Sequence, residues 1–264
     1  MGRFNDLLGF LINSFFRGAF TFGSGSQEWF SPEHLLLKNV IVVTINYRLN
    51  ALGFLMLPSL NIEGNAGLKD QQMALEWVYE NISSFNGDPD KICLFGESAG
   101  AASVHLHVLN EKSRKMINAA ICQSGCALND WVIQKDAIGR TKQLAKLLGC
   151  KSDNDQDVFD TIMAASPEDL FKQALRANTV DDRSRNLNMV FKPAIEAESS
   201  NAFLTKSPVE LIKTQRDQIK IPIIFGTTNK EGIIQAAYMK KSLSLFDKYP
   251  TRMVPISFNI NPSS

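Results

Sequence analysis

The chain has 264 residues, 44% of them hydrophobic and 21% charged, with a formal net charge of +1. That length supports one large core. So balanced a charge excludes the field that draws a protein to nucleic acid or to an anionic membrane, and no apolar stretch reaches the roughly 18 residues that span a bilayer.

The longest apolar run is Leu7 to Phe16, interrupted by Asn13 and Ser14. Arg3 ahead of it faintly resembles a secretory leader, but Asp6 spoils the basic region and no small-residue cleavage site follows. The chain as written is expected to be cytoplasmic, with secretion the alternative if its true amino terminus is missing. Gly2 is not a myristoylation site, because Asp6 stands where Ser or Thr is needed. The β-branched run Asn39 to Arg48 predicts a strand buried on both faces. A helix follows, with Leu75, Val78 and Ile82 at helical spacing, and then the turn "FNGDPD". "KICLFG" (91–96) is a second strand, Ala99 to Leu109 a second helix, "INAAICQSG" (117–125) a third strand. Lys220 to Thr227 is a fourth, followed by helical sequence from Gly232. Strands alternating with helices predict an α/β fold: a parallel sheet with helices on both faces.

Residues 130–217 are polar and helix-rich, and read as a helical insertion within a single domain. Ser166-Pro167-Glu168-Asp169 has the form of a helix start, with Ser166 as N-cap and Pro167 at the first position. Cys93 and Cys122 sit in strand-like runs and read as core thiols. Cys122 and Cys126 have no nearby His to complete a zinc site. Trp29, Trp77 and Trp131 are expected to pack rather than bind. Asn81-Ile82-Ser83 is a formal glycosylation sequon set in helical sequence, on a chain that shows no secretory route.

The chemistry centres on Gly96-Glu97-Ser98-Ala99-Gly100, a G-x-S-x-G match with a strand before it and an Ala-rich helix after it. A serine at such a strand-to-helix turn has strained dihedrals, and its hydroxyl stands at the sheet's carboxyl edge. Gly96 and Gly100 let the turn pass close to neighbouring chain, and the Ala99 N–H points at whatever Ser98 attacks.

Three long stretches, "VTINYRLNALGFL", "GNAGLKDQQMALEWVYENISSFNGDPDKICLFGESAGAASVHLH" and "GTTNKEG", resemble the type-B carboxylesterases, the α/β-hydrolases that include the cholinesterases. The wording "NAGLKDQ" and "SVHLH" is similar to insect α-esterase-like enzymes. The resemblance implies an α/β-hydrolase fold, Ser98 as nucleophile and Glu231 as the acid of the triad. Read from the residues alone, Glu231 is a solvated loop charge. "FFRGAFTFGSGS" aligns with the family's glycine-rich oxyanion loop, which makes Gly18, Ala19 and Ala99 the three amide donors. No metal or cofactor is implied, and the partner is a small-molecule ester.

The pattern fails in two places. Phe16 stands where the loop usually has His, and Arg17 where it has Gly. The histidines are His34, His105 and His107, whereas the fold's base is expected after Glu231. His105 lies two helical turns beyond Ser98, about 10.5 Å along the axis, well outside the ~3 Å a base must reach. The expectation is therefore a partial carboxylesterase, inactive or weak as written, with a non-catalytic binding or adhesion protein, or a remnant, as the alternatives.

Overall fold

The computed structural model describes residues 8–11 as backbone, and residues 18–26, 31–178 and 190–233. Arg3 and Asp6 of the leader-like segment, Phe16, Arg17, Trp29 and the helical sequence beyond Ile233 lie outside the described residues.

Among the described residues, five parallel strands form one sheet: β1 (Leu8–Leu11), β2 (Val42–Thr44), β3 (Ile92–Glu97), β4 (Ala119–Gln123) and β5 (Ile223–Gly226), in spatial order β2-β1-β3-β4-β5. β1 was not foreseen. Its run reads only as the apolar part of a faint leader, and pairing (Gly9 with Val42, Leu8 with Ile92) makes it a strand.

Two strands differ from expectation. The Asn39–Arg48 run yields only Val42–Thr44, half-buried at one edge of the sheet. β5 lies at the other edge among the described residues, with Ile224 62% and Phe225 53% exposed. β-branched residues announce a strand, but its place in the sheet decides how much of it is covered.

The connections supply the helices. α1 (Glu33–Leu36) and α2 (Asn50–Phe54) flank β2; α3 (Ala66–Asn81) precedes β3; α4 (Ala99–Leu109) and α5 (Glu111–Arg114) lie between β3 and β4. Between β4 and β5 run α6 (Ala137–Leu147), α7 (Asp155–Ala164), α8 (Pro167–Ala174) and α9 (Pro208–Gln215). Ser166 caps α8 as expected, its Oγ accepting the Asp169 N–H at 3.1 Å. Ser207 does the same for α9 through the Glu210 N–H.

α4 is buried along all eleven residues because it has two apolar stripes. Ala101, Val104 and Val108 pack with Ile92 and Leu94 of β3, Ala120 of β4, and Leu75, Val78 and Ile82 of the α3 stripe. Ala99, Ala102, Leu106 and Leu109 face a second cluster that joins Phe20 and Phe54 to α6–α9. The small alanines allow close approach on both sides, so the helix that begins at Ser98 is fixed by packing rather than by propensity. Cys93 and Cys122 are buried free thiols, and burial pushes Cys122 up to about 12. Trp77 departs from expectation, at 51% exposure on the outer face of α3. No described helix is long and apolar enough to cross a membrane.

Candidate active site

In open α/β sheets, ligands gather at the carboxyl ends of the strands. Here those ends carry Ser98 after β3, Ser124 after β4 and Glu231 beyond β5.

Ser98 has φ 55° and ψ −120°, a region that L-residues avoid at a cost of about 1–3 kcal/mol. Its surroundings hold it there. Its N–H donates to the Gln123 carbonyl at 2.9 Å, and its own carbonyl accepts the Ala102 N–H at 3.0 Å. Gly125 closes the turn from the other side: a Cβ at 125 would sit 2.3 Å from the Ser98 carbonyl oxygen and 3.3 Å from the Ala101 Cβ. Gly96 and Gly100 are buried on either side of the half-buried serine. Gly125 was missed in the sequence, where it reads only as the end of a strand.

Glu231 is exposed, and its Oε1 accepts the Thr228 N–H at 2.6 Å and the Ser124 hydroxyl at 2.7 Å. The Thr228 N–H, then the Ser124 hydroxyl, hold its carboxyl below the usual range, so it is a carboxylate at neutral pH. Ser124 has φ 54°, and its N–H donates to the Gly226 carbonyl at 2.8 Å. One short piece of chain thus serves both groups: Gln123 holds the turn of Ser98, and Ser124 holds the Glu231 carboxylate. Ser124 carried no signal in the sequence. Glu97 was visible only as the variable position of the motif. Burial, and then the charge of Glu231, push its carboxyl up to about 7.

The oxyanion-loop candidates form a tight turn. The Gly18 carbonyl accepts the Thr21 and Phe22 N–H groups, the latter at 3.0 Å. Ala19 (φ 42°) and Phe20 (φ 62°) are both left-handed without being glycine. They are pinned by the Phe20 ring, fully buried against Phe54 at 5.4 Å and Trp131 at 6.5 Å. The Asn50 N–H donates to the Phe20 carbonyl at 2.7 Å, and the Thr21 hydroxyl to the Ala19 carbonyl at 3.1 Å. Phe20 and Ala99 share one hydrophobic cluster, which puts this loop and the start of α4 on the same core.

The histidines are engaged elsewhere. His34 lies exposed on α1. The His105 Nδ1 accepts the Ala127 N–H at 3.2 Å, and its ring meets Phe225 edge-on at 5.1 Å; burial pushes it down to about 4. His107 is fully buried, with Nδ1 2.9 Å from the Ser113 hydroxyl and Nε2 3.0 Å from the Gln71 Oε1; burial pushes it down to about 3. Both rings are neutral structural groups at physiological pH. Among the described residues no group of three or more His, Cys, Asp or Glu is placed to hold a metal ion.

Residues 12–259 match the model of the carboxylesterase family. Venom carboxylesterase-6 of Apis mellifera is 39% identical over 224 residues, covering 83% of this chain and 38% of that protein. Esterase-5A of Drosophila pseudoobscura pseudoobscura is 38% identical over 224 residues, covering 84% and 40%. Juvenile hormone esterase of Tribolium castaneum is 35% identical over 255 residues, covering 92% and 43%. The chain therefore spans about two-fifths of the length of the curated relatives it matches. An elbow serine held at φ 55° at the end of a parallel strand, in a sequence that matches the family model over nearly its whole length, leads to one statement: this chain belongs to the carboxylesterase family.

Proposed function

We propose that this chain carries the nucleophile and the acid of a carboxylic-ester hydrolase that works through an acyl-enzyme. Ser98 attacks the ester carbonyl, and the amides of Gly18, Ala19 and Ala99 receive the oxyanion. The alcohol leaves, and water then releases the acid from the serine. Glu231 orients the imidazole that moves the proton. The single observation that carries this reading is the Ser98 turn, a strained serine held open at the carboxyl edge of the sheet. Relatives with esterase in their names support ester substrates, here small or medium and largely uncharged. We read residues 130–217 as a helical insertion within this one domain. Localisation is proposed as cytoplasmic for the chain as written and secreted if a leader precedes it; a venom protein among the relatives supports the second.

The imidazole has no place among His34, His105 and His107. A serine–carboxylate pair without it leaves Ser98 a weak nucleophile, with the residual rate that an oxyanion hole and substrate binding confer. The second reading, for this chain taken alone, is a carboxylesterase-like binding protein. A fluorophosphonate probe and p-nitrophenyl butyrate separate the two. Slow labelling of the folded chain that Ser98→Ala abolishes supports the esterase reading. A folded chain that stays unlabelled after prolonged exposure supports the binding reading.

A further inference from the structure

The outer face of α3 ends in a group of residues that ester hydrolysis leaves unused. Asn81-Ile82-Ser83 is a sequon, and the structure does not bury it inside a helix: Asn81 is the last residue of α3, and Ile82 opens a 3-10 turn, Ile82–Phe85. Ile82 is 1% exposed and anchors the turn in the core, whereas Asn81 is half-exposed and Ser83 exposed. The Asn81 Nδ2 donates to the Trp77 carbonyl at 2.7 Å. That uses one of the two amide hydrogens and leaves the other free. Beside it lie Met73 and Trp77, one helical turn apart and 68% and 51% exposed, and Phe85 at 57%. The Trp77 and Phe85 rings are 6.0 Å apart. Exposed apolar side chains gathered in this way usually have something to cover them.

We propose that, in the secreted form of this protein, on which this inference rests, Asn81 is an N-glycosylation site and that the first sugar of the glycan lies over the Trp77–Phe85 pair. In the transfer, the Asn81 Nδ2 forms a bond to the anomeric carbon of a polyprenyl-pyrophosphate-linked oligosaccharide. The bond from that carbon to the phosphate oxygen breaks, the lipid pyrophosphate leaves with the electron pair, and the amide gives up one proton. Ser83 supplies the hydroxyl that the acceptor pattern requires. The remaining Asn81 N–H keeps its bond to the Trp77 carbonyl, which aims the sugar along the outer face of α3. The apolar C–H face of the ring then rests on the aromatic pair, and its hydroxyls face water.

The test uses the full 264-residue chain behind a cleavable leader, translated with microsomes. The protease-protected product is compared before and after N-glycosidase, and the tryptic peptide Asp70–Lys91 is sequenced by mass spectrometry. The expected result is a glycan on Asn81 that is absent in Asn81→Gln and Ser83→Ala and retained in Ser83→Thr. An unmodified Asn81 in protected wild-type chain overturns the proposal. Trp77 fluorescence, isolated by Trp29→Phe and Trp131→Phe, is expected to be quenched more by acrylamide once the glycan is removed. Equal quenching overturns the placement of the sugar over the rings.

Discussion

Replacing Ser98 with glycine and, separately, with alanine isolates the strain in the elbow. Both variants remove the hydroxyl and leave the Gln123 and Ala102 backbone bonds available. Only glycine accepts φ 55°, ψ −120° without penalty. The strain relieved is about 1–3 kcal/mol, and the greater freedom of glycine in the unfolded chain offsets about 0.4–1 kcal/mol of it. Ser98→Gly is therefore expected to be more stable than Ser98→Ala by about 1–2 kcal/mol. In urea, with a slope of roughly 2–3 kcal/mol per molar, that moves the midpoint up by about half a molar. The measurement is urea unfolding followed by far-ultraviolet circular dichroism, with the slopes of the two variants compared. Equal midpoints, or a lower one for glycine at unchanged slope, would refute a strained serine at this position and with it the preorganised nucleophile.

Gly125→Ala places a Cβ 2.3 Å from the Ser98 carbonyl, a backbone atom that cannot step aside. It is expected to cost roughly 1–3 kcal/mol in urea unfolding and to abolish fluorophosphonate labelling. His107 is neutral in the fold down to about pH 3, whereas an unfolded histidine takes its proton near 6.5. Its contribution is therefore constant above pH 6.5 and falls as pH drops below it, by about 2 kcal/mol between pH 7 and 5. His107→Gln, which retains a polar group towards Gln71, should lose that much less stability over the interval, as read from paired urea titrations.

What was legible in the sequence is what depends on near neighbours. Leu75, Val78 and Ile82 announce the buried face of α3 by spacing alone, and Ser166 caps α8 because the cap needs only Pro167 and Asp169 beside it. The elbow is likewise contained in eleven residues. What depends on distant partners was not legible. Leu8–Leu11 becomes a strand only through β2 and β3, each more than thirty residues away. Gly125 matters only because the chain returns from β4 against Ser98. Asn50 reads as an ordinary polar residue until its N–H is found on the Phe20 carbonyl, thirty residues earlier in the chain.

The candidate site is unevenly supported, and the unevenness follows the sheet. Ser98 leaves β3, which is paired on both sides, and enters a helix buried along its whole length. Displacing it means disturbing two hydrophobic clusters at once. Glu231 leaves β5, whose single described neighbour is β4 and whose Ile224 and Phe225 face solvent. Its carboxylate is placed by two hydrogen bonds, from Thr228 in its own loop and from Ser124 just after β4. Among the described residues, the proposed nucleophile is therefore positioned by the core and the proposed acid by a sheet edge. Edge strands open at lower free-energy cost than core elements, so local opening of β5 frees Glu231 while Ser98 keeps its strained geometry.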